Sequence, residues 1–538
     1  MALSHQTIAL SSTGLFSKLF TDYLNNSEKL NEFVAFENSL EGFKEAIASR
    51  EKFEVNRNVL YDSIIRQYQK NHLLSDKVKS TVELLKDENS FTVCTGHQLC
   101  LFTGPLYFIY KIVTTINLAK QLKETFPDKN FIPVYWMASE DHDFAEINHL
   151  YVFGKKVEWT KSEHSGEEAV GTLSKRGLDE VLSALSLFWG TTDKAEELKK
   201  LFEKSYLYSS NLAEATRLLV NELFKETDLL IIEPDDAGLK KLFIPYMQQD
   251  ILEHVAFAKV NESIKKLEAL GYKSQVHPRE INLFYFDNQK RKRIIENTDG
   301  TFQLYNSEKK FTKEELLNEL KSNPEKFSPN VTLRPLYQQV ILPNLAYVGG
   351  PGELAYWLEY KAFFDSENVF FPVLTPRNFA TVIDGRTKQL IEKTGINENL
   401  LFVSEDDKIK YFIQHSTELP DTDKVKSKIE NSFSELIKEA EKTDVTLKPF
   451  VEAELQKTLK SVDAIKHKLE RAQKQKNENA INQIKKLHEK VFPNGTLQER
   501  HENFSSVYLS EGEAFLKYLL DNFNAFSKDM YLLKTYSN

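Results

Sequence analysis

The spacing of apolar residues changes several times along this chain, and each change marks a different kind of element. Between residues 14 and 87 apolar side chains recur at helical intervals, as in GLFSKLFTDYL and VLYDSIIRQYQ, so helices are predicted there. The character then switches. Phe91–Thr95 (FTVCT) is β-prone and runs into glycine. Pro105 opens a long apolar helix, PLYFIYKIVTTINLAKQL, with proline suited to its first turn. Phe131–Ala138 (FIPVYWMA) reads as a second strand. Strand, loop, helix, strand is the order of a βαβ unit in a parallel sheet.

Two further apolar runs, Leu229–Glu233 (LLIIE) and Phe370–Leu374 (FFPVL), supply more strands, so the sheet is assembled from segments far apart in sequence. Residues 151–225 and 272–331 are then insertions. The first begins with the β-like YVFGKKVEW and becomes helical; the second contains EINLFYFDNQKRKRIIEN, with Asn288 and Gln289 turning between two alternating strands. From about 385 the chain is helical and charged. Apolar residues at Val425, Ile429, Phe433, Leu436 and Ala440 precede a break at Pro449, after which Val451, Leu455, Val462, Ile465, Leu469 and Ala472 continue a near-heptad stripe. Two outcomes fit that stripe: a hairpin folded on itself, or a dimerising coiled coil. The expected organisation is a helical region (1–90), core segments (91–150, 226–271, 332–384), insertions (151–225, 272–331), a coiled-coil domain (385–491) and a helical C-terminal return to the core (492–538).

Composition narrows the function classes. The 538 residues are 41% hydrophobic, ample for a core, and the formal charge is -9, so no global field draws the chain to nucleic acid or anionic lipid. No apolar run approaches the roughly 18 residues of a membrane span, and MALSHQTIAL lacks signal-peptide features. A soluble cytoplasmic protein is expected. Two cysteines, Cys94 and Cys100, cannot make a disulfide framework; Cys94 lies in an apolar run, leaving Cys100 as the one candidate reactive thiol.

Four clusters carry candidate chemistry. Gly96-His97-Gln98 through Thr103-Gly104 lies between a strand's carboxyl end and a helix's amino end, where open α/β sheets bind ligands and free N–H groups attract anions. His97 could donate to a developing negative charge. The alternative is a tight loop with glycines for geometry alone. Glu140-Asp141-His142-Asp143, continuing to Glu146, crowds ionisable groups that must be solvated, paired or used, for instance as a general base; its spacing is not that of a helical HExxH zinc site.

In the third cluster, Arg334 and Gln338 precede Gly349-Gly350-Pro351-Gly352-Glu353, then Tyr356 and Trp357. Arg334 is a candidate carboxylate clamp. Glu353 suits a helix's first turn and could equally hold a substrate ammonium. The fourth, with Asn494, Gln498 and Arg500, closes the charged helix and is either polar lining or a helix restart.

Together the segments GHQLCLFTGPLYFIYK, PVYWMASEDHDFAEINH, SPNVTLRPLYQQVILPNLAYVGGPGELAYW and FPNGTLQER resemble the signature segments of the cysteine ligase family of bacillithiol biosynthesis, in the same order across residues 96–500. The resemblance implies an α/β, Rossmann-like core similar to nucleotidyltransferases and class I aminoacyl-tRNA synthetases, with connecting-peptide insertions and a C-terminal α-helical coiled coil that forms a homodimer. It also implies a reaction that joins the carboxyl of L-cysteine to the amine of glucosaminyl-malate. No HxGH pair or KMSKS-like loop is present, so adenylation does not carry over residue by residue.

A carboxylate does not acylate an amine unactivated, so ATP, with Mg²⁺ as its companion, is the expected cosubstrate. The reading then assigns Asp141, His142, Asp143 and His97 to catalysis. Gln98, Thr103, Gly104, Arg334, Gln338, Gly350, Gly352, Glu353, Tyr356, Trp357 and Arg377 are assigned to substrate, with Arg334 or Arg377 on malate's carboxylates. Gly96, Asn494, Gln498 and Arg500 are assigned to nucleotide, and no metal is held by the protein itself. The rival readings are another adenylating or nucleotidyltransferase-type enzyme, or a nucleotide-binding coiled-coil scaffold. Gly96–Pro105 and Gly349–Glu353 are each a glycine-rich loop that feeds a helix, and the first sits at a strand's carboxyl end, so the two are predicted to face one another across a single pocket.

Overall fold

Five strands made from distant segments form the central sheet: β1 (Ser90–His97), β2 (Asn130–Met137), β3 (Leu230–Ile232), β4 (Asn344–Gly349) and β5 (Val373–Pro376). Their order is β3-β2-β1-β4-β5, and every neighbouring pair is parallel. The strands are buried along almost their whole length, which explains why they read as continuous apolar runs without alternation. On one face Phe91, Val93, Leu345 and Val348 pack with Leu118 and Leu122 of the helix Tyr107–Thr125 and with Phe43 and Ile47. The computed structural model describes residues 3–160, 166–416 and 421–535; residues 161–165 of the first predicted insertion, 417–420 of the helical region and 536–538 of the C-terminal segment lie outside them.

The sheet differs from expectation at three points. β4 was hidden inside a segment whose glycines drew attention as a loop. β5 begins after Pro372, because a proline has no N–H to give to the ladder, so Phe370 and Phe371 are buried just outside the strand. The two ends of the chain, both expected to be helical, carry strands: Ser4–Ala9 pairs antiparallel with Asp529–Lys534. A strand whose partner lies at the opposite terminus leaves no local signal.

The 272–331 segment holds a five-stranded sheet whose observed pairs are antiparallel. Its central hairpin joins Leu283–Asp287 to Lys290–Glu296 through Asn288 (φ 50°) and Gln289 (φ 69°), the left-handed pair of a two-residue turn. YVFGKKVEW is likewise a hairpin, His149–Val152 with Lys155–Glu158.

The chain divides into two compact units, Met1–Val382 with Thr496–Ser537, and Ile383–Gly495. In the second unit the helices Thr422–Thr443 and Lys448–Lys476 form an antiparallel hairpin, held in one register by Lys426–Asp463 and Lys448–Glu441 ion pairs. The break lies at Val445–Leu447, and Pro449 stands in the first turn of the next helix. Leu436, Phe450 and Ile465 remain exposed.

Candidate active site

The strand order reverses between β1 and β4: the chain proceeds outward from β1 to β3 on one side and from β4 to β5 on the other. Ligands of open α/β sheets bind outside the strand ends at such a point. A cavity of about 480 Å³ lies there, in the first unit. Its floor is Gly96, His97 and Gln98 after β1 and Tyr347, Glu353 and Tyr356 around the end of β4. The 272–331 sheet walls it with Phe284, Arg291 and Arg293.

One buried lysine ties the two strand ends together. Lys111, from the helix after β1, donates to the carbonyl of Gly96 and to both carboxylate oxygens of Glu353, at 2.9 and 2.7 Å. Glu353 also accepts from Tyr347 Oη (2.6 Å) and from the Gly350 N–H (2.9 Å), so it caps its own helix, Pro351–Leu358. Burial works against its charge, but Lys111 and the Gly350 N–H outweigh burial and hold the carboxyl down at about 2. Glu353 is therefore committed to the scaffold, and the expectation that it holds a substrate ammonium is corrected.

The acidic cluster divides by direction. Glu140 and Asp141 face the cavity. Glu140 is paired with the buried Lys240 at 2.6 Å, and Lys240 also meets Asp235 at 2.7 Å. Asp141 accepts from Gln98 Nε2 and from the His142 N–H (2.7 Å), with the Arg291 guanidinium 3.5 Å away. Burial raises its pKa, but hydrogen bonding with His142 and the Arg291 charge overcome that and keep it well below the usual carboxylate range. His142 stands beside the wall, its Nδ1 3.2 Å from Arg291 and its ring against Phe284. Asp143 turns away and caps the short helix Phe144–Ile147 through the Glu146 N–H (3.1 Å).

His97 is pushed down to about 3, by burial first and then by the Lys111 charge. Its Nδ1 lies 2.9 Å from the carbonyl of Gln98, which makes Nδ1 the protonated nitrogen of a neutral ring. Cys100 is buried, and burial pushes its thiol up to about 12, so it is not the reactive thiol the sequence suggested.

Several other expected residues sit elsewhere. Thr103 and Gly104 point away from the cavity. The Asn503 side chain donates to the carbonyls of Phe102 (2.8 Å) and Gly104 (2.6 Å), and Phe102 and Thr103 both have positive φ. Gly350 and Gly352 shape the helix start beside the floor. Trp357 is buried against Tyr347, with ring centroids 4.7 Å apart, and Gln338 is buried beneath Arg334. Arg377 is buried in an ion pair with Glu499, which removes it as a carboxylate clamp. Gln498 binds the backbone of Val382 (2.7 Å), Arg500 is exposed near the Tyr107 ring, and Asn494 belongs to the second unit. Of the expected residues, the cavity thus gathers Gly96, His97, Gln98, Asp141, Arg334, Glu353 and Tyr356.

Sequence reading missed Lys111 and the arginines of the insertion, and it placed Glu140 in the acidic cluster without assigning it a role. Arg291 and Arg293 had one legible signal: they are two apart on an alternating strand and so share a face. The cavity keeps unused bonding capacity. Gln98 Oε1 and Arg334 Nη2 are buried without a hydrogen-bond partner among the described residues. Such atoms cost free energy unless a ligand or water meets them. Arg334 donates to Gln338 (3.2 Å) and lies over the rings of Trp136 and Tyr347. A cavity with arginines at both floor and wall suits an anionic ligand.

Comparison with known proteins agrees along nearly the whole chain. Residues 3–378 match the family described as bacillithiol biosynthesis BshC, N-terminal Rossmann-like domain, and residues 380–535 match its C-terminal coiled-coil domain. The second match runs on through the C-terminal segment that packs with the first unit here. Proteins named "Putative cysteine ligase BshC" from Christiangramia forsetii and Flavobacterium psychrophilum are each 42% identical, over 98% of this chain and 98% and 99% of theirs. One from Cytophaga hutchinsonii is 38% identical over 96% of both chains.

Proposed function

Because the chain belongs to the BshC family of bacillithiol biosynthesis, we propose that it is a ligase joining the carboxyl of L-cysteine to the amine of glucosaminyl-malate. The observation that carries this reading is the cavity at the sheet's switch point, where Gln98 Oε1 and Arg334 Nη2 are buried without a hydrogen-bond partner among the described residues and arginines of the insertion line the wall. ATP activates the carboxylate: the cysteine oxygen attacks a phosphorus of ATP and expels pyrophosphate or ADP. The sugar amine then attacks the acyl carbon, the C–N bond forms, and AMP or phosphate leaves. The loop Gly96–Gln98 and Arg334 meet anionic oxygens, and Mg²⁺ accompanies the nucleotide. Bringing three reactants into one cavity supplies much of the rate.

Asp143, which caps the helix Phe144–Ile147 and does not line the cavity, is not assigned as the base that takes the amine's proton. Asp141 lies on the cavity wall, and its low pKa suits orienting an ammonium more than removing a proton at neutral pH. The exposed apolar residues of the 422–476 hairpin support a homodimer built there. Among the described residues no helix is long and apolar enough to cross a membrane, and a cytoplasmic setting fits a consumer of ATP and free cysteine. Purified protein with ATP, L-cysteine and glucosaminyl-malate should yield a new thiol of the condensed mass, together with AMP or ADP. Product formation without ATP, or nucleotide cleavage without amide formation, would overturn the reading.

A further inference from the structure

Three cations at or behind the cavity walls already have acidic partners. Arg291 is 3.5 Å from Asp141, and the lysines behind the walls are paired, Lys111 with Glu353 and Lys240 with Glu140. Arg279 and Arg293 differ. Both line the cavity, both come from the 272–331 insertion, and among the described residues neither makes an ion pair, although Glu280 and Glu296 join them in lining a smaller hollow of about 300 Å³. Arg293 extends over the Tyr305 ring at 4.4 Å, and Tyr305's own N–H is bonded to the Arg293 carbonyl at 2.8 Å.

Arg279 is exposed, yet its backbone is rigidly mounted. Its N–H donates to Asn282 Oδ1 (3.1 Å), and its carbonyl accepts from Asn282 Nδ2 (2.7 Å). Asn282 is itself fully buried and bonded to the buried Asp250 at 2.6 and 3.1 Å. The Arg279 guanidinium, exposed and without an acidic partner among the described residues, keeps its full charge available to an anion that enters the cavity. On the floor, by contrast, Arg334 is buried with Nη2 open. The cavity therefore offers anionic oxygens one donor group from its floor, Arg334, and two from the insertion, Arg279 and Arg293.

We infer that Arg279 and Arg293 form the specificity site for the acceptor's carboxylates, and that the insertion distinguishes a dicarboxylate-bearing amino sugar from a plain one. This rests on the ligase reading above. The floor with Arg334 then receives the activated end of the reaction, and the insertion reads the part of the acceptor that does not react. Guanidinium groups match carboxylates with paired N–H donors, a geometry that amides cannot reproduce. Phosphate oxygens of the nucleotide have the same anionic chemistry, so the test must separate the two sources.

Arg279→Gln, Arg293→Gln and the double variant should be compared with wild type in two measurements: calorimetric binding of glucosaminyl-malate, and turnover with glucosaminyl-malate or with methyl glucosaminide, which lacks the carboxylates. Each single variant should weaken glucosaminyl-malate binding and raise its KM about ten- to hundredfold, consistent with loss of a charge-assisted hydrogen bond. KM for ATP and cysteine should stay within about twofold. The wild type's preference for glucosaminyl-malate over methyl glucosaminide should shrink in the double variant. Unchanged binding and preference, or a rise confined to the KM for ATP, would overturn the inference. If wild type binds glucosaminyl-malate and the variants lose that binding but no enzyme turns over, the specificity site stands and the ligase reading fails. If wild type binds none, both fall.

Discussion

Gly96 and Gly104 stand at the two ends of one loop and have opposite surroundings. At Gly96 a Cβ would meet Arg334 Nη1 and Tyr347 Oη at 3.6 Å, ordinary contact distances at the cavity edge. At Gly104 it would strike Cys100 Cβ at 2.6 Å, on a backbone with φ of 62°. The first half of the loop is open toward a ligand and held by Lys111; the second half is closed on itself and held by Asn503. A single continuous motif thus combines a cavity edge with a structural lock, and its length alone does not say which residues belong to which.

The hardest blow to this contrast is Lys111→Met. It leaves the Glu353 carboxylate without its cation beneath the cavity, and removing one partner of a buried pair costs about 3–5 kcal/mol. Chemical denaturation should register that loss, and a change below 1 kcal/mol would mean that the two strand ends hold together without the staple. The pH dependence follows from the same pair. Glu353 is depressed to about 2 when folded, so its stabilisation is complete above the unfolded carboxylate value of about 4.3 and disappears as pH falls toward 2. The acid limb of wild-type stability should be steeper than that of Lys111→Met.

Next in size is Asp141→Asn. It keeps shape and removes the charge on the cavity wall, so product formation should fall about a hundredfold, equivalent to about 2.7 kcal/mol, a larger loss than the destabilisation from leaving the buried Arg291 without its acidic partner at 3.5 Å. Unfolding in proportion to lost activity would instead make Asp141 structural. Gly104→Ala should do the reverse: destabilisation of about 1–3 kcal/mol from overpacking and positive-φ strain, with activity per folded molecule retained. If it abolished activity without destabilising, the division of the loop would be wrong.

A smaller effect tests the second unit. Light scattering at micromolar concentration should report twice the 62.3 kDa chain mass, and Leu436→Lys with Ile465→Lys should shift the protein toward monomer. A wild-type monomer at low and moderate salt would end the dimer proposal. Smallest of all is Asp143→Asn. Asparagine caps a helix as well as aspartate does, so stability and activity should both stay within about 0.5 kcal/mol of wild type. The contrast between Asp141 and Asp143, two residues apart in sequence, is the sharpest check on which way the acidic cluster faces.

Much of this molecule was legible in its sequence because it depended on near neighbours. The β1 and β2 runs, the apolar helix between them and the Asn288–Gln289 turn are all local: burial periodicity and turn chemistry act over a few residues. Three of the four polar clusters also lie at one sheet edge, where β1, β2 and β4 end, while the fourth does not reach the cavity. Long-range choices were not legible. The Ser4–Ala9 strand is specified by a partner at the other terminus, and β4 only by the sheet edge it joins. Arg377 could read as a clamp until Glu499 came beside it, and Glu353 as a ligand for ammonium until Lys111 did. A charged residue in a motif carries its chemical type in the sequence, but whether it is spent on the scaffold or left open to a ligand depends on which opposite charge the fold brings within about 4 Å. That distance is set by tertiary packing alone, and for this protein it separates the paired Arg377 and Glu353 from the open Arg334, Arg279 and Arg293.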